Sequence, residues 1–144
     1  MLSMESDTDL TASIAERVRA AAAAGQSLRI RGGGSKDFYG QALHGDLLDM
    51  RAFAGVLSYE PSELVVTVRA GTPLAELQAL LASQGQCLPF EPPHFGPDAT
   101  VGGMVASGLN GPARGSVGAV RDFMLGVKLV NGKGEVLTFG GQVM

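Results

Sequence analysis

Three consecutive glycines directly after an alternating segment, in LRIRGGGSKDFYG at residues 28–40, constrain this chain more than any other feature. Leu28 and Ile30 alternate with Arg29 and Arg31, which predicts a half-buried strand over residues 27–31. The backbone then runs for three residues with no Cβ at all. Such a run suits positive φ or a very close approach to something else. The 21 glycines among 144 residues show no collagen-like period, so tight turns and close approaches are the theme of a globular chain.

Three known devices place glycines after a strand. A Walker A loop needs Gly-Lys-Ser/Thr after four intervening residues, and no stretch fits. A Rossmann fingerprint needs a third glycine where Asp37 stands, and a helix where SKDFYGQALHG shows no helical period. There remain a plain tight turn and a backbone nest, in which successive amides converge on an anion such as pyrophosphate. Ser35 would add a hydroxyl, and Arg31 or Lys36 a positive charge. A second cluster, PDATVGGMVASGLNGPARG at 97–115, offers further small residues, free amides and the hydroxyls of Thr100 and Ser107. Two such loops in one small domain suggest a long ligand held from two sides.

Around these loops the pattern is ordinary. Leu10, Ile14, Val18 and Ala21 recur at helical spacing, predicting a helix over 8–24 capped by Asp7 or Thr8 and closed by Gly25. DLLDM (46–50), GVLSYE (55–60) and LVVTVRA (64–70) read as strands. Thr72 followed by Pro73 reads as an N-cap opening a helix that runs to about Gly85. Residues 87–118 are a long Pro/Gly-rich loop with one short helix near 101–107, and loops of that length are usually functional. DFMLGVKLV, NGKG and EVLTF form a hairpin. GGQVM then stops on apolar residues, which leads us to expect part of a longer protein.

Composition narrows the function. A hydrophobic content of 45% excludes disorder, and a net charge of −3 with no basic stripe argues against nucleic acid. Cys87 is the only cysteine, so neither an internal disulfide nor a cysteine-rich metal site is expected, and no metal is assigned. The polar start MLSMESDTD resembles no signal peptide, and AAAAA at 20–24 is too short to span a bilayer. A cytoplasmic protein without direct membrane insertion is the expectation.

Taken in order, IRGGGSK, YEPSELVVTVRAGTPLAEL and PDATVGGMVASGLNGPARGSVGAVRDFMLGVKLVNGKGEV resemble FAD-binding domains of the vanillyl-alcohol oxidase/p-cresol methylhydroxylase type. The likeness runs from about residue 10 onward and is greatest to the FAD-binding subunits of bacterial glycolate oxidases. It implies an α+β fold of two subdomains with FAD between them, here about 8–86 for the first and 87–144 for the flavin-binding loop and the start of the second. It implies that Arg31, Gly32, Gly33, Gly34, Ser35 and Lys36 form the pyrophosphate loop. It places Pro97, Asp98, Ala99, Thr100, Gly102, Gly103, Ser107 and Gly108 along the flavin, ribitol and phosphate. Members that bind flavin covalently through the first loop carry histidine where Ser35 stands, so non-covalent FAD is implied. The activity implied is oxidation of a 2-hydroxy acid, or relay of its electrons, in a complex with a second flavoprotein subunit and an iron–sulfur subunit. That complex would also supply any attachment to a membrane. Rival readings are a D-lactate dehydrogenase or flavin reductase on the same fold, or a scaffold subunit without flavin. No catalytic residue is assigned, and this chain alone is expected to be inactive.

The other reactive residues have plainer readings. Pro89, Pro92 and Pro93 separate Cys87 from His94, so a buried thiol and a loop histidine are expected rather than a nucleophile and its base. His44 has no metal-ligand neighbour, and Glu60 and Glu63 flank a turn. Asp98 should order its loop by accepting backbone N–H groups. Arg121 and Asp122 should pair or bond the backbone, and Arg114 reads equally as an anion contact or a solvated loop residue.

Overall fold

A computed structural model describes residues 4–141, with side chains from Asp7 onward. In chain order the elements are α1 (Met4–Ala23), β1 (Leu28–Arg31), β2 (Asp46–Asp49), β3 (Val56–Glu60), β4 (Val65–Val68), α2 (Leu74–Ala82), α3 (Val101–Ser107), α4 (Arg114–Val117), β5 (Gly126–Val130) and β6 (Val136–Gly140). The strands form three pairs. β1 and β2 are parallel, with Leu28 opposite Asp46 and Arg31 opposite Asp49. β3–β4 and β5–β6 are antiparallel, the former with a register shift between Val56 and Ser58. A parallel pair requires a long crossover, and here that crossover is the loop of residues 32–45, half-buried to Lys36 and exposed beyond it, rather than a helix.

The expected strands, the short helix and the hairpin are all present, within a few residues of their expected ends. Two helix starts differ. The first helix begins at Met4, so Asp7 and Thr8 lie inside it rather than at its start. Asp7 is buried because its carboxylate accepts from Arg69 Nε at 2.9 Å, a partner far away in sequence. At the second helix Pro73 is the cap residue and Thr72 makes no capping bond. The Thr72 hydroxyl turns instead to Gly55, accepting from its amide at 2.9 Å, and so ties the start of α2 to β3. Gly25, at φ +64°, closes α1 as expected, with Gln26 N–H donating to the Ala21 carbonyl.

The core is built by α2 and the loop beyond it. Leu74, Leu77 and Leu81 pack with Phe90, Ala99, Val101, Met104 and Val120, flanked by Tyr59, Val66 and Val68 from the second strand pair. Residues 99–104 thus sit directly on the core, which fixes their backbone. α1 is stapled across the other pairs: Arg17 donates to the Leu47 carbonyl and Arg19 to that of Gly134 in the hairpin turn. Ile30, expected to be half-buried, is 69% exposed, and Leu125, Val127 and Phe139 leave an apolar hairpin face open. The tail residues 142–144 of GGQVM lie outside the described residues.

Candidate functional site

The three glycines have three different neighbours. A Cβ on Gly32 would fall on the Thr100 hydroxyl, and one on Gly33 on the Asp98 carbonyl oxygen. Both neighbours belong to the second glycine-rich loop, the Thr100 side chain against Gly32 and the Asp98 backbone against Gly33. Gly34 differs: its φ is +76°, and a Cβ there would fall on the Arg31 guanidinium. The sequence motif therefore first encodes a close contact between two loops, backbone to backbone at Gly33, followed by a left-handed turn.

That contact brings together the two runs of candidate residues. Arg31 to Lys36 are all half-buried. Among the described residues, the amides of Gly32, Gly33, Gly34, Ser35 and Lys36 donate no hydrogen bond. The same holds for Asp98, Ala99 and Thr100, although Ala99 and Thr100 are only 1% and 6% exposed. Buried amides in folded proteins are nearly always paired. Two unpaired runs meeting at one place make a surface rich in donors.

The rest of the second loop behaves differently. Thr100 Oγ1 caps α3 by accepting from Gly103 N–H, and the Thr100 carbonyl accepts from Met104. Gly102 N–H donates to the Ala70 carbonyl at 2.7 Å, and Val101 N–H to that of Thr72. A Cβ on Gly102 would press on Ala70 at 2.8 Å, so this glycine serves packing. Ser107 Oγ donates to the Met104 carbonyl, and Gly108 is the left-handed C-cap at φ +61°. The free amides expected at Gly102 and Gly103 are thus engaged by the fold, because the first turn of α3 is buried against the β4–α2 connection.

Charges frame the loop. Arg31 Nε donates to Asp37 Oδ2 at 2.8 Å, and Arg51 Nη2 lies 2.6 Å from Asp49 Oδ2. The hydrogen bond from Arg51 holds Asp49 down from an ordinary 3.8 to about 2. The bond from Arg31 likewise lowers Asp37, while each arginine is raised by its partner. Asp98 departs from expectation: among the described residues its carboxylate accepts no backbone N–H. It is exposed and acts at longer range on Arg51. Lys36 Nζ stands 5.8 Å from the centre of the Phe95 ring, which also meets Phe38 edge-on at 5.4 Å. Phe95 holds φ +53°, unusual for a bulky residue. Asp37, Arg51 and Phe95 were not singled out from sequence. Only the charge at Asp37, one turn beyond the glycines, could have pointed to it.

The remaining reactive residues stay apart from this place. Cys87 is exposed rather than buried, in the irregular segment that follows α2 and its closing turn. His94 Nε2 shares a 2.8 Å hydrogen bond with Gln78 Oε1. His44, Glu60, Glu63 and Arg114 are exposed. Arg121 and Asp122 approach at 3.7 Å, and Asp122 Oδ2 accepts from Ala119 N–H at 2.7 Å.

Comparison with known proteins gives this donor-rich contact a context. A family model described as an FAD binding domain matches residues 9–140. The glycolate oxidase subunit GlcE of Escherichia coli (strain K12) is 48% identical over 138 residues, which cover 96% of this chain and 39% of that protein. The chain therefore spans about two fifths of the curated relative it matches. Among solved structures, a variant of Physcomitrella patens BBE-like 1 superposes with a TM-score of 0.71 at 28% identity, over 92% of this chain and 29% of that one. Glucooligosaccharide oxidase from Acremonium strictum gives 0.69 at 26%, over 90% and 27%. The 6-hydroxy-D-nicotine oxidase of Arthrobacter nicotinovorans, at 20% identity over 90% of this chain and 28% of that one, shares the fold with a TM-score of 0.69.

Proposed function

Since the chain belongs to the family of FAD binding domains, we propose that it holds the diphosphate of FAD within a flavoprotein subunit that oxidises a 2-hydroxy acid of the glycolate type, or relays its electrons. The observation that carries this reading is the meeting of two unpaired amide runs, Gly32–Lys36 and Asp98–Thr100, in a cradle that a Cβ would fill. Converging amides without side chains in the way suit an anion such as a diphosphate. Arg31 to Lys36 would form the pyrophosphate loop, with the Ser35 hydroxyl as a further donor. Pro97 to Thr100 would line the cofactor from the other side. Gly102, Gly103, Ser107 and Gly108 would offer it a close backbone surface rather than donors, since their polar groups are largely engaged. Bound FAD would accept the electrons removed from the substrate, and the residues here bind and orient it.

The flavin is held without a covalent bond in this reading. The glucooligosaccharide oxidase carries a 6-S-cysteinyl, 8α-N1-histidyl FAD. This chain has Ser35 after its glycines and a single, exposed cysteine. Residues 8–86 and 87–144 are proposed as the first subdomain and the start of the second, joined by a shared core. The 48% identity to a glycolate oxidase subunit supports assembly with other subunits; a second flavoprotein subunit and an iron–sulfur subunit are the partners proposed, with turnover only in that setting. No helix among the described residues is long and apolar enough to cross a membrane, which fits a cytoplasmic protein that reaches one only through its complex.

Hydrogen exchange followed by NMR or mass spectrometry tests the proposal. FAD should protect the amides of 32–36 and 98–100 and leave those of 102–104 as slow as before. Acid precipitation of the loaded protein should leave the flavin in the supernatant. Protection confined to other segments would reject the loop, and flavin retained in the washed precipitate would reject non-covalent binding.

A further inference from the structure

The Arg31–Asp37 pair spans the first loop. Nε donates to Asp37 Oδ2 at 2.8 Å and Nη2 lies 2.7 Å from the same oxygen, while Asp37 N–H donates to the Gly34 carbonyl at 3.0 Å. The side chains are 32% and 55% exposed. Ion pairs this open contribute little to global stability. A carboxylate so near a diphosphate also costs affinity through like-charge repulsion. Stability and electrostatics therefore both leave the pair unexplained.

Its geometry supplies a use. The guanidinium lies across Gly34, where a Cβ would fall on it, and Gly34 is the residue that turns left-handed. Arg31 is the last residue of β1 and is fixed by the sheet, its carbonyl accepting from Met50 N–H at 2.9 Å. A side chain anchored there and bound to Asp37 closes a ring around the five unpaired amides. We infer that Asp37 is a positioning residue: through Arg31 it holds the curvature that aims the amides of Gly32–Lys36 at one diphosphate. The inference rests on the loop being the diphosphate site.

Titration of the native protein with FAD, and separately with inorganic pyrophosphate, separates the possibilities by sign. Asp37→Asn removes a negative charge near the anion, so electrostatics alone gives tighter binding. Positioning gives the opposite, a loss of about tenfold or more for both probes, comparable to losing one charge-assisted hydrogen bond. The thermal midpoint should stay unchanged, and Asp37→Glu should recover most of the affinity. Unchanged or tighter binding by Asp37→Asn, a lowered midpoint, or no recovery by Asp37→Glu would each overturn the inference. Gly33→Asp tells the two failures apart. If it abolishes binding while Asp37→Asn does not weaken it, only the positioning role falls. If both variants bind normally, the loop assignment falls with it.

Discussion

The two glycine-rich loops are alike in glycine content and opposite in their use of backbone amides. Residues 32–36 keep their amides unpaired, whereas 101–104 give every amide to the fold. The difference follows from what lies beneath them. Val101 and Met104 are buried in the core, and unpaired donors there would carry a heavy desolvation cost. The first loop instead crosses between two parallel strands at the surface and has no such obligation. Between them, Asp98–Thr100 belongs to the buried loop by packing and to the open one by its unpaired amides. Glycine content alone cannot tell a donor surface from a packing device. The hydrogen-bond partners can.

The anchor of the second loop is the place to break this comparison hardest. Gly102 and Val101 hang on the carbonyls of Ala70 and Thr72, just past Arg69. Arg69 is 3% exposed, bonds Asp7 of α1 and the Ala54 carbonyl, and stacks over Phe53 at 5.6 Å. Arg69→Leu would leave the Asp7 carboxylate buried with, among the described residues, only Lys128 Nζ, 3.5 Å away, as a cation. Breaking a buried pair on one side costs about 3–5 kcal/mol. Denaturant titration should show that loss, with faster exchange at 101–104. A variant of wild-type stability would mean that the second loop is not held through α1.

A smaller effect is expected where the loops touch. Gly33→Ala puts a methyl group on the Asp98 carbonyl, backbone against backbone, and forced overpacking of this kind costs about 1–3 kcal/mol. FAD affinity should fall with it, because the two amide runs are pushed apart. Gly34→Ala presses on the Arg31 guanidinium, a side-chain tip rather than a backbone, and must hold φ +76°, a left-handed conformation that costs an L residue about 1–2 kcal/mol. Equal costs at the two positions, measured by the same titration, would show that conformation and not contact sets the need for glycine.

Much of this was legible in the sequence, for reasons of range. The strands, the closing Gly25, the short helix and the hairpin depend on neighbours a few residues away, and they stand where periodicity put them. The order of motifs carried the α+β fold and the family. What escaped depended on distant partners. Asp7 looks like a cap until Arg69 arrives, and Thr72 looks like one until Gly55 does. Nor could spacing tell that Gly33 faces Asp98, or that Phe95 takes a left-handed backbone. For the site, the sequence pointed to both loops but did not divide the amides between ligand and fold.

Thr100 is where that division is sharpest and the expected effect smallest. Its hydroxyl accepts from Gly103 N–H at 3.2 Å, while its own amide stays unpaired. Thr100→Val keeps the volume and removes the hydroxyl that accepts from Gly103. Loss of an N-cap costs about 1 kcal/mol, and the exchange of Gly103 should quicken accordingly. If the hydroxyl serves α3 and the amide serves the ligand, FAD affinity should change little and Thr100→Ser should restore stability. A large loss of affinity with stability intact would mean that the hydroxyl leaves its cap to bind the cofactor. The second loop would then be no more committed to the fold than the first.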